Sequence, residues 1–303
     1  MAVDLIGLGL ATLDHLCLVE SFADPVGQLK LKAFHIDGGG PAASALAAAA
    51  RLGLRCELWA QVGSGPLAEQ IIAGLRQAGV DTGAVRQWPD SDGPLVLVLV
   101  DGCTAERRFQ VARGWPGGEL EVLPLDHLAG ARCLLVDGAY PTAACEAARR
   151  ARELGVPVVA DLGNVEGPYR ELVGLVDHLI VDEACGARLG HSGDPERACL
   201  RLLELGPRVA AVTLGARGCV YADARGVRLR PAFPVEAVDT TGAGDTFHGA
   251  YCVGVVESWD LDRTIAFASA VAALCCTRLG GRAGVPDRAR VERFLAERET
   301  RAG

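Results

Sequence analysis

Lysine is almost absent from this sequence of 303 residues: Lys30 and Lys32 are the only two, and arginine supplies nearly all of the positive charge. No Gly-Lys-Ser or Gly-Lys-Thr occurs, which excludes a Walker-type phosphate loop. Cys-x-x-Cys and His-Glu-x-x-His are also missing, so the sequence contains no metal site of recognisable spacing. These absences exclude the nucleotide and metal sites that short motifs identify most readily.

The sequence also lacks long apolar runs and a surplus of positive charge. Its wholly apolar runs, such as Leu95 to Val100, are far too short to span a bilayer. The net charge of −8 and the pI of about 5.3 argue against a nucleic-acid or membrane-surface partner. The eleven cysteines are odd in number, no signal peptide precedes them, and several lie in apolar runs. We therefore expect free thiols and a cytoplasmic protein.

The order of predicted strands and helices indicates the fold class. From Cys133 onward, short apolar runs alternate with helical segments, which predicts a mostly parallel central sheet with helices on both faces. Half of the residues are hydrophobic, enough for a substantial core. No linker divides the chain, so we expect a single α/β domain over residues 1–303. Segments at about residues 15–36 and 95–113 predict a small β lid that would exclude water from a substrate.

The stretch from Asp239 to Asp245, Asp-Thr-Thr-Gly-Ala-Gly-Asp, carries the main chemical signal. The Pro-bounded apolar run Phe233 to Val238 predicts a strand, or the approach to one, before it, and helical spacing after it predicts a helix beginning near Asp245. A glycine-rich turn at a helix start binds anions through free N–H groups, here from Gly242 to Gly244 with Ala243 between them. Asp245 would either cap the helix or accept a hydroxyl proton beside a transferring phosphoryl group. We favour the base, because a negative charge would not help a loop that only holds phosphate.

Two other segments are candidates for substrate binding. Asp14 follows the first predicted strand, Val3 to Leu10, at the carboxyl end where ligands lie in open α/β sheets. One carboxylate can accept hydrogen bonds from two neighbouring hydroxyls, which suits a sugar, although a cap on the next turn explains Asp14 equally well. Gly38, Gly39 and Gly40 precede an alanine-rich helix and would let the backbone approach a ligand closely. A plain strand-to-helix turn would explain one or two of these glycines, but hardly three.

The complete Asp-Thr-Thr-Gly-Ala-Gly-Asp sequence resembles the main motif of the ribokinase-like (PfkB) family of carbohydrate kinases, and the resemblance covers essentially the whole chain. It implies a ribokinase-like three-layer sandwich, ATP and magnesium as cofactors, and Asp245 as the catalytic base. It also implies sugar binding by Asp14 and the glycines at 38–40. The stretch Thr213-Leu-Gly215-Ala-Arg-Gly218 is similar to the family segment that lines the nucleotide site.

The same resemblance has consequences for metal ions and for the lid. Family members often bind a monovalent cation beside the anion hole, which implies Asp239 and Thr241 as candidate ligands for potassium. From the residues alone, an arginine such as Arg282 would neutralise Asp239 equally well. On the lid, a resemblance to ketohexokinases implies that Arg107 clamps phosphates, with a solvated arginine as the alternative. The family's magnesium-associated Asn-x-x-Glu falls near Asp182–Cys185, where the final Glu is missing. Cys185 therefore inherits no metal role, and Glu183 is the remaining candidate.

The substrate is constrained by finer similarities. Gly-Gly-Gly-Pro-Ala-Ala and Cys-Thr-Arg-Leu-Gly-Gly-Arg-Ala-Gly-Val-Pro are most similar to the sulfofructose kinase branch, with ketohexokinases more distant. Gln28, Val111 and Ala139 replace the side chains that hold the sulfonate there, and Ala43 replaces an Asn usual in sugar kinases. We therefore expect γ-phosphoryl transfer from ATP to a primary hydroxyl of a small ketohexose-like sugar or related polyol. A sulfofructose kinase, a nucleoside kinase of the same fold and a non-catalytic binding regulator are the alternatives, and the lid could join two copies in a homodimer.

Overall fold

The computed structural model describes residues 3–23, 29–89, 91–104, 107–111, 118–190 and 193–302. Its strands are β1 (Leu5–Leu8), β2 (Thr12–Val19), β3 (Leu31–Gly39), β4 (Cys56–Trp59), β5 (Gln61–Gly63), β6 (Val80–Asp81), β7 (Arg86–Trp88), β8 (Leu95–Asp101), β9 (Arg107–Val111), β10 (Cys133–Val136), β11 (Val158–Asp161), β12 (His178–Asp182), β13 (Val209–Thr213), β14 (Cys219–Asp223) and β15 (Gly226–Arg230).

The helices between and after these strands supply the outer layers. They are α1 (Pro41–Arg51), α2 (Pro66–Gln77), α3 (Pro141–Leu154), α4 (Tyr169–Val173), α5 (Glu183–Gly190), α6 (Pro195–Glu204), α7 (Ala243–Val256), α8 (Leu261–Cys275), α9 (Gly281–Gly284) and α10 (Arg288–Ala302), with short 3₁₀ turns at Leu125–Gly130 and Gly215–Arg217.

The strands form one large sheet and two small ones within the described ranges. The large sheet has nine strands in the order β15-β14-β13-β12-β11-β10-β1-β4-β6. The pairs from β13 to β6 are parallel, and only the β13–β14 and β14–β15 pairs are antiparallel. β5 and β7 form a separate parallel pair. The mostly parallel central sheet is therefore present, with an antiparallel hairpin at one edge.

Helices cover both faces of the large sheet because successive strand residues point to opposite sides. Leu5 of β1 belongs to one buried cluster and Ile6, the next residue, belongs to the other. The first cluster includes apolar residues of α1, α2, α7 and α8, and the second includes those of α3, α4 and α6. The result is a three-layer sandwich with a core on each side of the sheet.

A four-stranded sheet in the order β3-β2-β8-β9 stands apart from this sandwich. It corresponds to the predicted lid, although residues 24–28, 105–106 and 112–113 of the predicted lid segments lie outside the described residues. β2 begins at Thr12, only four residues after β1 ends, so the first strand of the large sheet leads directly into the lid. This connection places the lid beside the carboxyl ends of the central strands. Among the described residues, no helix is long and apolar enough to cross a membrane.

The prediction of a strand at Phe233 to Val238 is wrong, because this segment belongs to no sheet and only approaches the start of α7. Pro231 and Pro234 lack the N–H groups that a strand ladder requires, so an apolar composition alone could not make a strand here. The segment is instead tied down at its end, where the N–H of Val238 donates to the carbonyl of Cys276 at 2.8 Å. It delivers the chain to the start of α7.

Candidate active site

Backbone geometry at the start of α7 builds the predicted anion hole. Gly242 is the N-cap and has a left-handed φ of 69°, which glycine adopts without steric cost. A Cβ there would lie 3.0 Å from the Cα of Gly281, so the close approach of two backbones also favours glycine. The N–H of Ala243 donates to the carbonyl of Thr240 at 3.3 Å. Among the described residues, the amides of Gly244 and Asp245 have no backbone acceptor, and they are the free donors of this helix start.

Asp245 lies in the first turn of α7 and is half-buried. Removal from solvent and then the negative charge of Asp161 raise its pKa to about 7, with smaller contributions from Asp14 and Asp137, while His248 opposes the rise. Asp161 ends β11 and Asp137 follows β10, so the carboxyl ends of neighbouring parallel strands bring these carboxylates to one place. The carboxylate predicted as the base is thus in an environment that brings its pKa close to neutral pH.

Asp14 lies in lid strand β2, rather than in a loop that follows β1. The hydroxyl of Thr12 donates to its Oδ1 at 2.6 Å, and burial raises its pKa. A Cβ at Gly39 of the neighbouring strand would lie 2.1–2.2 Å from the atoms of the Asp14 carboxyl group. Glycine at position 39 therefore makes room for this carboxylate.

The other two glycines of the triplet have different reasons to be glycine. Gly40 has a φ of 87°, and a Cβ there would lie 2.4 Å from the carbonyl oxygen of Leu10. A Cβ at Gly38 would lie 1.9 Å from Nη1 of Arg282. Gly39 thus leaves room for a carboxylate and Gly38 for a guanidinium, and Gly40 allows the tight turn that leads into α1.

Arg282 is a site residue that sequence analysis did not recognise in this role. Its Nη2 donates to the carbonyl of Gly39 at 2.6 Å, and its backbone N–H donates to Asp37 at 3.0 Å. Burial lowers its pKa, while the carboxylates of Asp37, Asp14 and Asp245 oppose that change. Its guanidinium therefore lies within electrostatic reach of both the predicted sugar carboxylate and the predicted base.

Asp239 is not paired with Arg282. It is 1% exposed, and its two carboxylate oxygens accept from the N–H groups of Thr241 at 2.8 Å and Gly280 at 3.0 Å. The hydroxyl oxygen of Thr241 is buried and has no hydrogen-bond partner among the described residues. An oxygen left without a partner next to a carboxylate fits a hard monovalent cation, because such ions take oxygen ligands.

Arg107 reaches from lid strand β9 to the same loop. Its Nη1 donates to the carbonyl of Thr240 at 3.0 Å, three residues before Ala243 begins α7. The contact places a positive charge next to the anion hole. A guanidinium has five donors, so others are left to meet phosphate oxygens.

The predicted nucleotide segment ends β13 in a tight turn. The hydroxyl of Thr213 donates to the carbonyl of Val181 at 3.4 Å. Gly215 and Gly218 have φ values of 57° and 103°, and a Cβ at Gly218 would lie 2.0 Å from the carbonyl oxygen of Arg230. The turn lies at the carboxyl end of a central strand, the same edge of the sheet to which β10 and β11 deliver their carboxylates.

The magnesium-associated segment starts α5. Asp182 Oδ1 accepts from the N–H of Cys185 at 2.7 Å, and Glu183 is paired with Arg217 of the nucleotide turn. No group of three or more His, Cys, Asp or Glu side chains in the described part of the chain could hold a metal. Magnesium usually keeps several waters and binds through one or two carboxylates plus substrate phosphates, so Asp182 and Glu183 fit that requirement.

Of the three positions that replace sulfonate-binding side chains, Gln28 lies outside the described residues. Val111, at the end of β9, is 69% exposed. Ala139 lies in the turn after β10, where its N–H donates to Asp137 Oδ1 at 2.9 Å. Neither described side chain is polar, so neither contributes a hydrogen bond to a sulfonate.

Comparisons with known proteins were consistent over nearly the full length. A profile described as "pfkB family carbohydrate kinase" matches residues 4–288. The ribokinase of Haemophilus influenzae is 27% identical over 297 residues, which cover 95% of this chain and 97% of that protein. The nucleoside kinase of Methanothermobacter thermautotrophicus is also 27% identical, over 97% of this chain and 96% of its own.

Solved structures give the same result for the fold. The ribokinase of Thermotoga maritima superposes with a TM-score of 0.83 at 27% identity and covers 97% of this chain and 99% of its own. The Arabidopsis thaliana ribokinase complexed with ribose and ATP also has a TM-score of 0.83, but at 24% identity it supports the fold alone. The predicted ribokinase-like α/β fold is therefore confirmed.

Proposed function

We propose a function from the premise that this chain belongs to the pfkB family of carbohydrate kinases, as its motif predicted. It is then a phosphotransferase with an alcohol as acceptor, and the expected use of ATP with magnesium agrees with this membership. Our proposal is that it transfers the γ-phosphoryl group of ATP to a primary hydroxyl of a small sugar of the ketohexose class or a related polyol. The observation that carries it is the position of Asp245 in the first turn of α7, beside free helix-start amides and within electrostatic reach of the Asp14 carboxylate.

Asp245 would act as the general base. The oxygen of the sugar hydroxyl attacks the γ-phosphorus and forms the new O–P bond, while the bond from that phosphorus to the bridging oxygen of ADP breaks. The hydroxyl proton moves to the carboxylate of Asp245. A base is most effective when its pKa lies near the working pH, and the pKa of Asp245 is raised to about 7.

The amides of Gly244 and Asp245 would stabilise the negative charge on the transferring group. Helix-start amides are fixed before the reaction, so they need no reorganisation when charge develops in the transition state. Arg282 lies within reach of the same carboxylates and supplies a compensating positive charge. Phosphoryl transfer depends mainly on such positioning and charge stabilisation, so this arrangement suits the reaction.

Asp14 would hold the sugar. Thr12 occupies one of its oxygens, and the remaining lone pairs are available to accept from sugar hydroxyls. The nucleotide would lie along the turn from Thr213 to Gly218, with its phosphates directed to α7. Magnesium bound to ATP neutralises phosphate charge, and Asp182 and Glu183 are the residues that would hold it.

A nucleoside acceptor is the second candidate, because a nucleoside kinase is among the relatives that match over nearly the whole chain. Both substrate classes present a primary hydroxyl, and the base and anion hole serve both equally. The side chains that replace the sulfonate ligands, Val111 and Ala139, favour neither a sulfosugar nor another anionic sugar.

The lid sheet also exposes Leu31, Phe34 and Phe109, which suits the expected homodimer through the lid.

The test is a coupled assay of ADP release with ribose, fructose, other ketohexoses, sulfofructose, polyols and nucleosides as acceptors. Asp245→Asn should bind sugar and ATP nearly normally, while turnover falls by about 10²–10⁴-fold, the usual contribution of a general base. Turnover within a few-fold of the unmodified enzyme would remove Asp245 from this role. ADP release that is the same with and without every acceptor would contradict the kinase proposal itself.

A further inference from the structure

The imidazole of His248 is almost fully enclosed beneath the start of α7. Its side chain is 4% exposed, and it lies one helical turn after Gly244. Its Nδ1 is 2.8 Å from the carbonyl oxygen of Gly244 and 3.2 Å from Oδ2 of Asp161. The carbonyl oxygen of Gly244 can only accept a hydrogen bond, so Nδ1 must carry the proton.

The other ring nitrogen has no such support. Nε2 is buried and has no partner at hydrogen-bond distance among the described residues, although the backbone of Ile180 also acts on the ring. Leaving a buried polar atom unpaired costs free energy, and such an atom in a native structure calls for a specific reason. The other ring nitrogen supplies such a reason, because the Nδ1–H contacts both the carboxyl group of Asp161 and the carbonyl oxygen of Gly244 at the anion hole.

The carbonyl of Gly244 belongs to the same peptide unit as the N–H of Asp245. That N–H is one of the free donors at the start of α7, and the side chain of Asp245 is the base in the proposed function. A contact that fixes the carbonyl of Gly244 therefore also fixes the direction of the Asp245 N–H, because the peptide unit is planar. Errors of about 1 Å in such groups can cost roughly a hundredfold in rate.

We propose that Asp161 and His248 are positioning residues for Asp245. Asp161 orients the imidazole of His248, and the imidazole fixes the peptide unit of Gly244 at the anion hole. The proposal rests on the proposed function for the identity of the base. Neither residue touches the reacting atoms, and neither was identified from the sequence. Asp161 acts through its 3.2 Å contact with Nδ1.

The charges around Asp245 give this pair a measurable signature. Asp14 of β2, Asp137 after β10, Asp161 of β11, His248 of α7 and Arg282 of α9 all act on it. Asp137 and Asp182 in turn surround Asp161 and help to raise its pKa to about 8, after burial. Burial lowers the pKa of His248, and the carboxylate of Asp245 opposes that change. Asp161, Asp245 and His248 therefore titrate as one interacting set, and removing either Asp161 or His248 should move the pH at which Asp245 loses its proton.

The first experiment reads the tautomer and does not depend on turnover. In protein labelled with ¹⁵N-histidine, long-range ¹H–¹⁵N spectra distinguish an Nδ1–H ring from an Nε2–H ring. His248→Asn identifies the signal among the six histidines. We expect an Nδ1–H ring whose signal is altered by Asp161→Asn. An Nε2–H ring in the unmodified protein would overturn the proposal, whereas the kinase proposal is tested separately by Asp245→Asn.

The second experiment is the pH profile of kcat/KM. Asp161→Asn should move the acidic limb, because Asp161 and Asp245 titrate in the same range and the ionisation of each depends on the other, and His248→Leu should move it as well, because the ring acts on both carboxyl groups. His248→Asn keeps an N–H donor near the Nδ1 position, so it should retain a kcat roughly tenfold or more above that of His248→Leu. The limb position does not depend on how much enzyme is folded. Unmoved limbs with equal kcat for the two His248 variants would show that the contacts are merely structural.

Discussion

Gly244→Ala separates the function of the anion hole from its stability. A Cβ at Gly244 would meet nothing within 4 Å, its φ is not left-handed, and the residue is exposed. An alanine therefore fits the folded chain and reduces the conformational freedom of the unfolded one. We expect a gain of about 0.4–1 kcal/mol in the free energy of unfolding. For a chain of this size, that gain corresponds to a rise in Tm of roughly 1–4 °C.

Activity should change in the opposite direction. The empty space beside Gly244 borders the free amides of Gly244 and Asp245, so the methyl group would occupy the position of the transferring phosphoryl group. The methyl group would keep phosphate oxygens away from these amides, and loss of even one donor contact in such a hole typically costs about 10²–10³-fold in kcat. Since the hole acts on charge that develops in the transition state, kcat should fall more than the affinity for ATP.

The matched control is Gly74→Ala in the exposed face of α2. A Cβ at Gly74 would also meet nothing within 4 Å, and the residue lies inside a helix, but far in sequence from every site segment. This variant should gain similar stability and keep full activity. Thermal unfolding and steady-state kinetics on the two variants decide the matter. A Gly244→Ala enzyme with raised Tm and turnover within a few-fold of the unmodified enzyme would refute the assignment of this helix start to phosphate.

Two further predictions concern the sugar and the monovalent cation. Asp14→Ala should raise the sugar KM roughly ten- to a hundredfold, the value of one or two hydrogen bonds to a charged group, and leave the KM for ATP unchanged. Gly39→Ala, whose Cβ would lie 2.1–2.2 Å from the Asp14 carboxyl group, should do the same, and equal weakening of both substrates would indicate a structural role instead. Potassium should raise kcat more than it changes the sugar KM when titrated in sodium-free Tris buffer at fixed magnesium, and Thr241→Val should reduce that response. Identical rates in potassium and in tetramethylammonium salts would exclude a cation at Asp239 and Thr241.

The sequence predicted the central architecture because the signals for it are local. Strands such as β10 and β13 are short buried runs followed or preceded by amphipathic helices, and each can be recognised without knowing its partners. The predicted strand from Phe233 to Val238 failed for a reason also present in the sequence, since its prolines remove ladder donors. The hairpin of β14 and β15 was not predicted. Its second strand places arginines at alternate positions, and polar residues weaken the apolar signal of an edge strand.

The residues of the candidate site also divide into those that a local sequence pattern reveals and those that it does not. Gly242 to Asp245 are contiguous and could be found as a motif, whereas Arg282 meets the carbonyl of Gly39 across 243 residues of sequence. No local pattern predicts such a contact. Asp161 is likewise distant from His248 in sequence, although the i, i+4 spacing of Gly244 and His248 was a usable signal within the helix. The contiguous motif could therefore be predicted from the sequence, whereas the residues that contact it from distant segments could not.

The segment around α9 shows why those long-range contacts matter. The N–H of Gly280 bonds to Asp239, and Gly281 packs against Gly242 of the anion hole. On its other side, Arg282 donates a hydrogen bond to the carbonyl of Gly39, in the glycine turn at the end of lid strand β3 that is proposed to bind sugar. One short segment thus contacts both substrate sites, and the glycines at its boundaries are needed because backbones meet there without space for side chains. The contacts of α9 therefore join the segment proposed to bind sugar to the loop proposed to bind the transferring phosphoryl group.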